Sequence, residues 1–132
     1  MDVSTIDHVN LRIPPDGIDA AVGFYGDQLG FTIEGVERHK RGEQSFFDVR
    51  LTPVHVIHLW PTAAFEPPSG DNFNHVALKT EADIETVKEH LTASDISITS
   101  EHESPLGATG RAPAVYVEDP FGYQIELKAT VD

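Results

Sequence analysis

Two stretches of the chain repeat each other and decide the fold. Residues 6–14 read IDHVNLRIP, residues 73–81 read FNHVALKTE, and a histidine stands at the same place in both. In each stretch apolar and polar residues alternate, as they do in a β-strand that packs one face on a core. The two histidines, His8 and His75, are 67 positions apart. Because a repeat within a short chain indicates duplication of a structural unit, we expect two similar modules.

A helix is predicted after each of these strands. In the first half, apolar residues recur with the spacing of one helix face and stop before Gly30, a residue typical of helix ends: Ile18, Val22, Tyr25 and Leu29. In the second half, Thr80 and Asp83 resemble a capping box at the start of the helix. The apolar stripe that follows consists of Ile84, Val87 and Leu91. Both halves therefore begin as strand and then helix.

Further β-like runs follow each helix. The first half contains FTIEGVERH, SFFDVRL and VIHLW, and the second contains ISITS, APAVYVE and YQIELK. Turn-forming pairs precede the last run of each half, Thr52-Pro53 in the first and Asp119-Pro120 in the second. Each half reads strand–helix–strand–strand–strand. We predict an α+β fold, in one domain spanning 1–132, with βαβββ modules at about 4–64 and 71–130.

The composition narrows the class of partner. Acidic residues outnumber basic ones 22 to 9, and the formal charge of −13 repels nucleic acid and anionic membranes. The chain has no cysteine, which excludes disulfides and thiolate metal sites. Since we find no signal-peptide pattern and no long apolar run, we expect a cytoplasmic protein. With nucleic acid and membranes disfavoured by charge, we expect its substrate to be a small molecule. The acidity indicates either adaptation to high salt or an ordinary acidic protein.

Four potential ligands occupy corresponding positions in the two halves. Strand alternation places all four on the sheet face that does not pack on a helix: His8, His58, His75 and Glu126. Imidazole and carboxylate groups bind Ni, Zn, Co, Mn or Fe(II), so the pattern predicts one divalent metal ion per site. The alternative interpretation is that these are polar residues of exposed strand faces. The other histidines are interpreted as structural (His55) or as solvated surface: His39, His90 and His102.

Five segments resemble the vicinal oxygen chelate superfamily, which includes glyoxalase I, extradiol dioxygenases and the bleomycin resistance proteins. They are IDHVNLRI, FYGDQLGF, VIHLW, FNHVALK and YVEDPFGYQIEL. The resemblance implies paired βαβββ modules that form a half-open mixed-sheet barrel, the glyoxalase/bleomycin resistance/dioxygenase fold. It also implies metal ligands from the first and last strand of each module, at the four positions named above. Small members of the superfamily commonly dimerise, so a homodimer is expected, with each site built within one chain or across two.

The pattern is most similar to that of glyoxalase I. Arg12 follows His8 by four residues, a spacing at which glyoxalase I holds the carboxylate of a thiol cofactor. The resemblance implies a metal-dependent lyase or isomerase that stabilises the enediolate formed from a small oxygenated substrate such as a hemithioacetal, with a low-molecular-weight thiol as a further partner. Glu126 would carry the proton. Arg12, Arg111 and Trp60 are the predicted substrate-binding residues.

Two other functions stay open. In an Fe(II) extradiol ring-cleavage dioxygenase, His8, His75 and Glu126 would form the facial triad, and His58 would be an acid–base residue outside it. That chemistry needs about three open metal positions, so a ligating His58 argues against it. The remaining alternative is a metal-free small-molecule-binding resistance protein. Proteins of that kind generally lack the ligand set, and the four retained residues argue against this alternative.

Overall fold

The computed structural model describes residues 1–131, and its strands form two main sheets of the same topology. The chain divides into two compact units, the first comprising residues 1–66 and the second starting at Pro67. Each unit contains a sheet of four strands and one or more helices. The predicted α+β class and the duplication are both confirmed.

The first unit contains a mixed, open sheet. Along the chain the elements are β1 (His8–Ile13), α1 (Ile18–Ala21), a π-helical segment (Val22–Gln28), β2 (Thr32–Glu34), α2 (Val36–Lys40), β3 (Phe47–Thr52) and β4 (His55–Pro61). The strand order is β1-β4-β3-β2, in which β1 runs parallel to β4 and the other pairs are antiparallel.

The second unit repeats this arrangement. The elements are β5 (Val76–Lys79), α3 (Ile84–Ala93), β6 (Ser100–His102), β7 (Leu106–Gly107), β8 (Gly110–Arg111), β9 (Ala114–Glu118) and β10 (Gln124–Lys128). The strand order is β5-β10-β9-β6, in which β5 runs parallel to β10 and the other pairs are antiparallel. A short separate hairpin, β7-β8, precedes β9.

Strand alternation places the core as predicted. Leu11 and Ile13 of β1 are almost fully buried, as are Ile57 and Leu59 of β4 and Ile125 of β10. The residues between them point to the opposite face of each sheet. The predicted ligands alternate with these apolar residues, so burial of the apolar side chains determines the face on which the ligands lie.

The first predicted helix is present, but most of it is π-helical. Near its end, the Leu29 N–H donates to the Phe24 carbonyl five residues earlier, at 2.9 Å. The wider turn brings two successive aromatic side chains, Phe24 and Tyr25, into the core, where their rings meet edge to face at 5.0 Å. The helix ends at Gln28 with Leu29 as its C-cap, and Gly30 follows with a φ of 84°, which glycine readily adopts. The apolar spacing predicted this helix and its end, but not its wider winding.

Two strand predictions are wrong in part. The run FTIEGVERH forms β2 only at Thr32–Glu34, because Gly35 adopts a φ of 85° and starts α2. A Cβ at Gly35 would lie 2.5 Å from the Gln44 side-chain nitrogen, so the close approach also favours glycine. In the second half, the strand predicted at 96–100 lies instead at Ser100–His102.

The turn between β9 and β10 is built around a buried aspartate. The Asp119 side chain accepts hydrogen bonds from the backbone N–H groups of Phe121 and Tyr123, at 2.9 and 2.8 Å. Gly122 within it has a φ of 96°. This turn does not account for the offset of 68 between His58 and Glu126, because the paired residues Asp48 and His58 are ten positions apart and so are Tyr116 and Glu126.

The cap of α3 differs from the predicted capping box. The N-cap is Asp83, whose Oδ1 accepts the Thr86 N–H at 2.8 Å. The Thr80 hydroxyl instead donates to the carbonyls of Ala82 and Lys128. No helix within residues 1–131 is long and apolar enough to cross a bilayer.

The Asp83 cap predicts a pH dependence of stability. Hydrogen bonds from Thr86 lower the pKa of Asp83 below its usual 3.8. The contribution of the cap is therefore complete above pH 3.8 and is lost as the pH falls through the lower pKa of the folded state. We expect Asp83→Ala to lower the melting temperature at pH 7, whereas Asp83→Asn, which keeps the acceptor oxygen, largely preserves it. Melting curves of the three proteins from pH 2 to pH 7 test this. Equal melting temperatures of the alanine and asparagine variants at pH 7 would contradict the assignment.

Candidate metal centre

Two of the predicted ligands meet in the first unit. His8 begins β1 and His58 lies in β4, the strand paired with it. Their imidazole rings are 4.1 Å apart between centroids and tilted by 40°. The pair therefore forms a cluster of two potential ligands on the sheet face opposite the core.

A carboxylate lies beside the Nδ1 atom of each ring. The Nδ1 atom of His8 lies 2.8 Å from an Asp7 carboxylate oxygen, and the Nδ1 atom of His58 is hydrogen-bonded to Asp48. An ionised carboxylate only accepts hydrogen bonds, so each Nδ1 carries the proton. In the neutral imidazole, Nε2 then has the lone pair that a metal ion requires.

The other two predicted ligands meet in the second unit. His75 directly precedes β5, and Glu126 lies in β10, the strand that pairs with β5. The Nε2 atom of His75 is 3.3 Å from the Oε1 atom of Glu126. Only 8% of the Glu126 side chain is exposed, so its carboxylate has lost most of its hydration. A cationic partner would therefore stabilise the charged form strongly.

A tyrosine that sequence reasoning missed completes this pair. Tyr116 of β9 is directly opposite Glu126, and its hydroxyl donates to Glu126 Oε1 at 2.5 Å. The same hydroxyl oxygen is 3.2 Å from His75 Nε2. Burial, assisted by the Glu126 carboxylate, raises the pKa of Tyr116 to about 12, so it remains a phenol at neutral pH. The sequence did contain one indication of this role. Tyr116 alternates with the buried Val115 and Val117, so it lies on the same sheet face as Glu126.

The second pair has the polarity of a cation site. Because the Nδ1 atom of His75 lies 2.6 Å from the Asn74 amide oxygen, its proton is assigned there. The Nε2 lone pair then faces two further oxygens, those of Tyr116 and Glu126. The Tyr116 proton lies between its own oxygen and Oε1, but in this tautomer no proton lies between His75 Nε2 and Oε1, and a metal ion bound to both would relieve that unfavourable contact. The donor types and their orientation therefore fit a divalent metal.

The four predicted ligands lie as two pairs, one in each unit. Among residues 1–131, no group of three or more histidine, aspartate and glutamate side chains is arranged so that it could hold a metal ion. The joint four-ligand centre therefore stays a prediction.

Two predicted substrate-binding residues of the first unit, Arg12 and Trp60, lie in a cluster with Phe46 beside His58. The guanidinium carbon of Arg12 lies 4.9 Å from the centroid of the Trp60 ring. Phe46 stacks on Trp60 with centroids 5.9 Å apart and contacts the His58 ring at 4.1 Å. Its neighbour Phe47 is fully buried on the opposite face. A partly apolar surface with one cation thus borders the first pair.

Arg111 makes a different contact. It is exposed in β8, and its side chain donates to the Ser104 carbonyl at 2.8 Å. This hydrogen bond joins the residue to the loop before its own hairpin. Its role in substrate binding stays a prediction.

The remaining histidines are mainly peripheral. The interpretation of His39 as solvated surface is wrong, because it is half-buried and its Nδ1 atom lies 3.0 Å from the Gln44 carbonyl. His90 is exposed on α3, as predicted. His102 is exposed at the end of β6, where its ring contacts Tyr116. His55 has a structural role, since its two ring nitrogens bond the hydroxyls of Thr5 and Thr52.

Comparisons with known proteins agree with this architecture. A family model described as the Glyoxalase/Bleomycin resistance protein/Dioxygenase superfamily matches residues 5–127. Virulence protein STM3117 of Salmonella typhimurium is 25% identical over 133 residues, which cover 99% of this chain and 88% of that protein.

Solved structures share the fold over the full length. The crystal structure of STM3117 superposes with a TM-score of 0.76 at 26% identity, covering 99% of this chain and 100% of that one. A glyoxalase family protein from Bacillus anthracis also gives a TM-score of 0.76, at 24% identity, covering 99% and 98%. The second likeness shows the fold alone.

Proposed function

The chain belongs to the Glyoxalase/Bleomycin resistance protein/Dioxygenase superfamily, and from that premise we propose that it is a divalent-metal-dependent lyase or isomerase of the glyoxalase I type. Its substrate would be a small molecule with two adjacent oxygens, such as a hemithioacetal. The superfamily contains several chemistries, so the proposal depends on the site.

One observation carries this proposal. In the second unit, His75 Nε2 and Glu126 Oε1 are 3.3 Å apart. In the first unit, His8 and His58 occupy the corresponding positions of the duplicated topology, with their rings 4.1 Å apart between centroids. Three imidazoles and one carboxylate would leave about two positions of an octahedral shell open, enough for two substrate oxygens. The bound metal would act as a Lewis acid that stabilises negative charge developing on those oxygens.

Glu126 is the proposed catalytic base and acid. Its carboxylate would accept the proton from the substrate carbon and return it to the neighbouring carbon, so that the substrate is isomerised with no net change of electrons. Tyr116 donates to Oε1, which leaves Oε2 as the oxygen that carries the proton. The hydrogen bond also holds the carboxylate in one orientation between transfers.

The first unit would supply substrate binding. Trp60 and Phe46 offer apolar contact area, and Arg12 lies over the Trp60 ring as the cationic group. A substrate with an anionic group, such as an adduct of a low-molecular-weight thiol, fits this combination. The proposed active form is a homodimer, which sedimentation velocity would test.

A specific observation favours a second candidate, the Fe(II) extradiol dioxygenase. The hydrogen bond from His58 Nδ1 to Asp48 is the arrangement in which a carboxylate orients an acid–base imidazole. In that function His58 would transfer protons, and His8, His75 and Glu126 would hold the metal. The two candidates therefore differ in the role of His58.

The experiment combines metal analysis with assays of one variant. Protein purified without chelator or metal-affinity resin is analysed for metals, and wild type and His58→Ala are assayed for hemithioacetal isomerisation and for oxygen-dependent catechol cleavage. The lyase or isomerase proposal expects about one Ni, Zn or Co per site and loss of turnover in the variant. Catechol cleavage by the wild type that is reduced in His58→Ala, while the variant retains its metal, would favour the dioxygenase. Ligand binding by a wild type without metal or turnover would instead indicate a binding protein.

A further inference from the structure

The environment of His58 points to a residue that acts through it. Asp48 lies in β3 directly opposite His58 in β4, and the antiparallel pairing puts both side chains on the same face. Each side chain is only 16% exposed. The hydrogen bond between them is thus protected from competing water.

The ring of His58 is also fixed by its other neighbours. Phe46 and His8 each lie 4.1 Å from it between ring centroids. These contacts restrict the tilt of the imidazole plane, while Asp48 decides which edge of the ring points toward β3. The edge that bears Nε2 then points away from Asp48.

The charge of Asp48 determines the tautomer as well as the orientation. A carboxylate that accepts from Nδ1 requires the proton there, and it strengthens Nε2 as a donor to a cation. An exposed imidazole without such a partner is free to place its proton on Nε2, where it would block metal binding. Asp48 therefore prepares the ring before any metal arrives.

The neighbouring His8 provides a comparison within the same unit. Its acceptor, Asp7, has a side chain that is 89% exposed, and His8 itself is 44% exposed. Water competes for both groups, so this hydrogen bond constrains its ring less. The two carboxylates are similar in kind but differ in burial.

We propose that Asp48 is a positioning residue, which fixes His58 in the tautomer and orientation that direct Nε2 toward a divalent metal ion. The inference rests on the proposed function in one respect, that His58 is a ligand. It adds a residue outside the predicted ligand set, whose loss should weaken metal binding without removing a ligand.

The test uses Asp48→Ala, Asp48→Asn and the matched control Asp7→Ala. Affinity for Zn²⁺ is measured by competition with a chromophoric chelator. Loss of a hydrogen-bonding partner of this kind typically weakens metal binding by about 10- to 100-fold, which we expect for Asp48→Ala. Asp48→Asn keeps an acceptor oxygen and should lose roughly three- to tenfold, and Asp7→Ala less than about threefold.

A second readout needs no metal. In the metal-free protein, ¹⁵N chemical shifts of the imidazoles report which ring nitrogen carries the proton. We expect the Nδ1–H form of His58 in the wild type, and a shift toward the Nε2–H form in Asp48→Ala. If that variant does not fold, the asparagine variant provides the comparison, with a smaller shift in the same direction.

The outcomes separate this inference from the proposed function. Unchanged Zn²⁺ affinity and an unchanged tautomer in both Asp48 variants would overturn the inference, as would an equal loss in Asp7→Ala. If the wild type binds no Zn²⁺, the proposed function fails, and the ¹⁵N shifts still decide whether Asp48 sets the tautomer. Tight metal binding with no hemithioacetal turnover would contradict the reaction and leave the Asp48 result valid.

Discussion

Glu126→Gln is expected to reduce hemithioacetal turnover by about 10²- to 10⁴-fold, the range associated with loss of a general base. Glutamine keeps the volume of the buried side chain and an oxygen that can accept the Tyr116 hydrogen bond. It removes the negative charge that would bind the metal and the carboxylate that would carry the proton. The measurement is the turnover rate at saturating substrate and metal, together with the metal content of the variant.

The control for this prediction is a carboxylate on the neighbouring strand. Glu118, at the end of β9, is exposed and pairs with Gln124 in the sheet. Glu118→Gln should retain turnover within about threefold, because the proposal assigns this exposed carboxylate neither the metal nor the proton. Turnover of Glu126→Gln within tenfold of the wild type would exclude a catalytic role for this carboxylate.

Phe47→Ala is expected to have the largest effect on stability. The Phe47 side chain is fully buried in the first unit, and truncating a buried phenylalanine costs about 3–5 kcal/mol of unfolding free energy. For a chain of this size, that corresponds to a melting temperature lower by roughly 10–20 °C. Thermal denaturation followed by circular dichroism measures it.

The adjacent residue offers a matched control of identical chemistry. Phe46 lies on the opposite face, half-buried against His58 and Trp60. We expect Phe46→Ala to cost less than about half as much stability, since less apolar surface is removed from the interior. Equal destabilisation by the two substitutions would mean that the two faces of β3 are equally buried, contrary to the structure.

The repeat predicted most of the fold, because strand alternation is a short-range pattern that burial enforces. The β1 and β10 patterns predicted the buried Leu11, Ile13, Ile125 and Leu127, and the same alternation put His8 and Glu126 on the opposite faces. In β10 the opposite-face residues Glu126 and Lys128 are buried too, which the pattern did not predict. The duplicated topology then follows, since similar strands pair similarly. These features depend on periodicity alone, which a sequence displays directly.

The partners of the ligands could not be predicted in the same way. Tyr116 meets Glu126, and Asp48 meets His58, through pairings between strands whose register depends on intervening turns. α2 was missed because Gly35 interrupts an apolar run that otherwise favours a strand. His39 is half-buried through that same helix, so its environment depended on an element absent from the prediction.

The second half contains one additional residue, and the fold accommodates it without changing which way the predicted ligands face. The additional residue falls between β5 and β9, because His75 and Tyr116 are 41 positions apart whereas His8 and Asp48 are 40 apart, and the strand pairs that follow are spaced alike in both halves. One residue gained or lost inside β10 would exchange its faces, turning Glu126 inward and Ile125 outward. Length changes in the two halves are therefore compatible with the site outside these strands but not within them. The halves could thus diverge widely in sequence while chemically equivalent groups kept facing the same way.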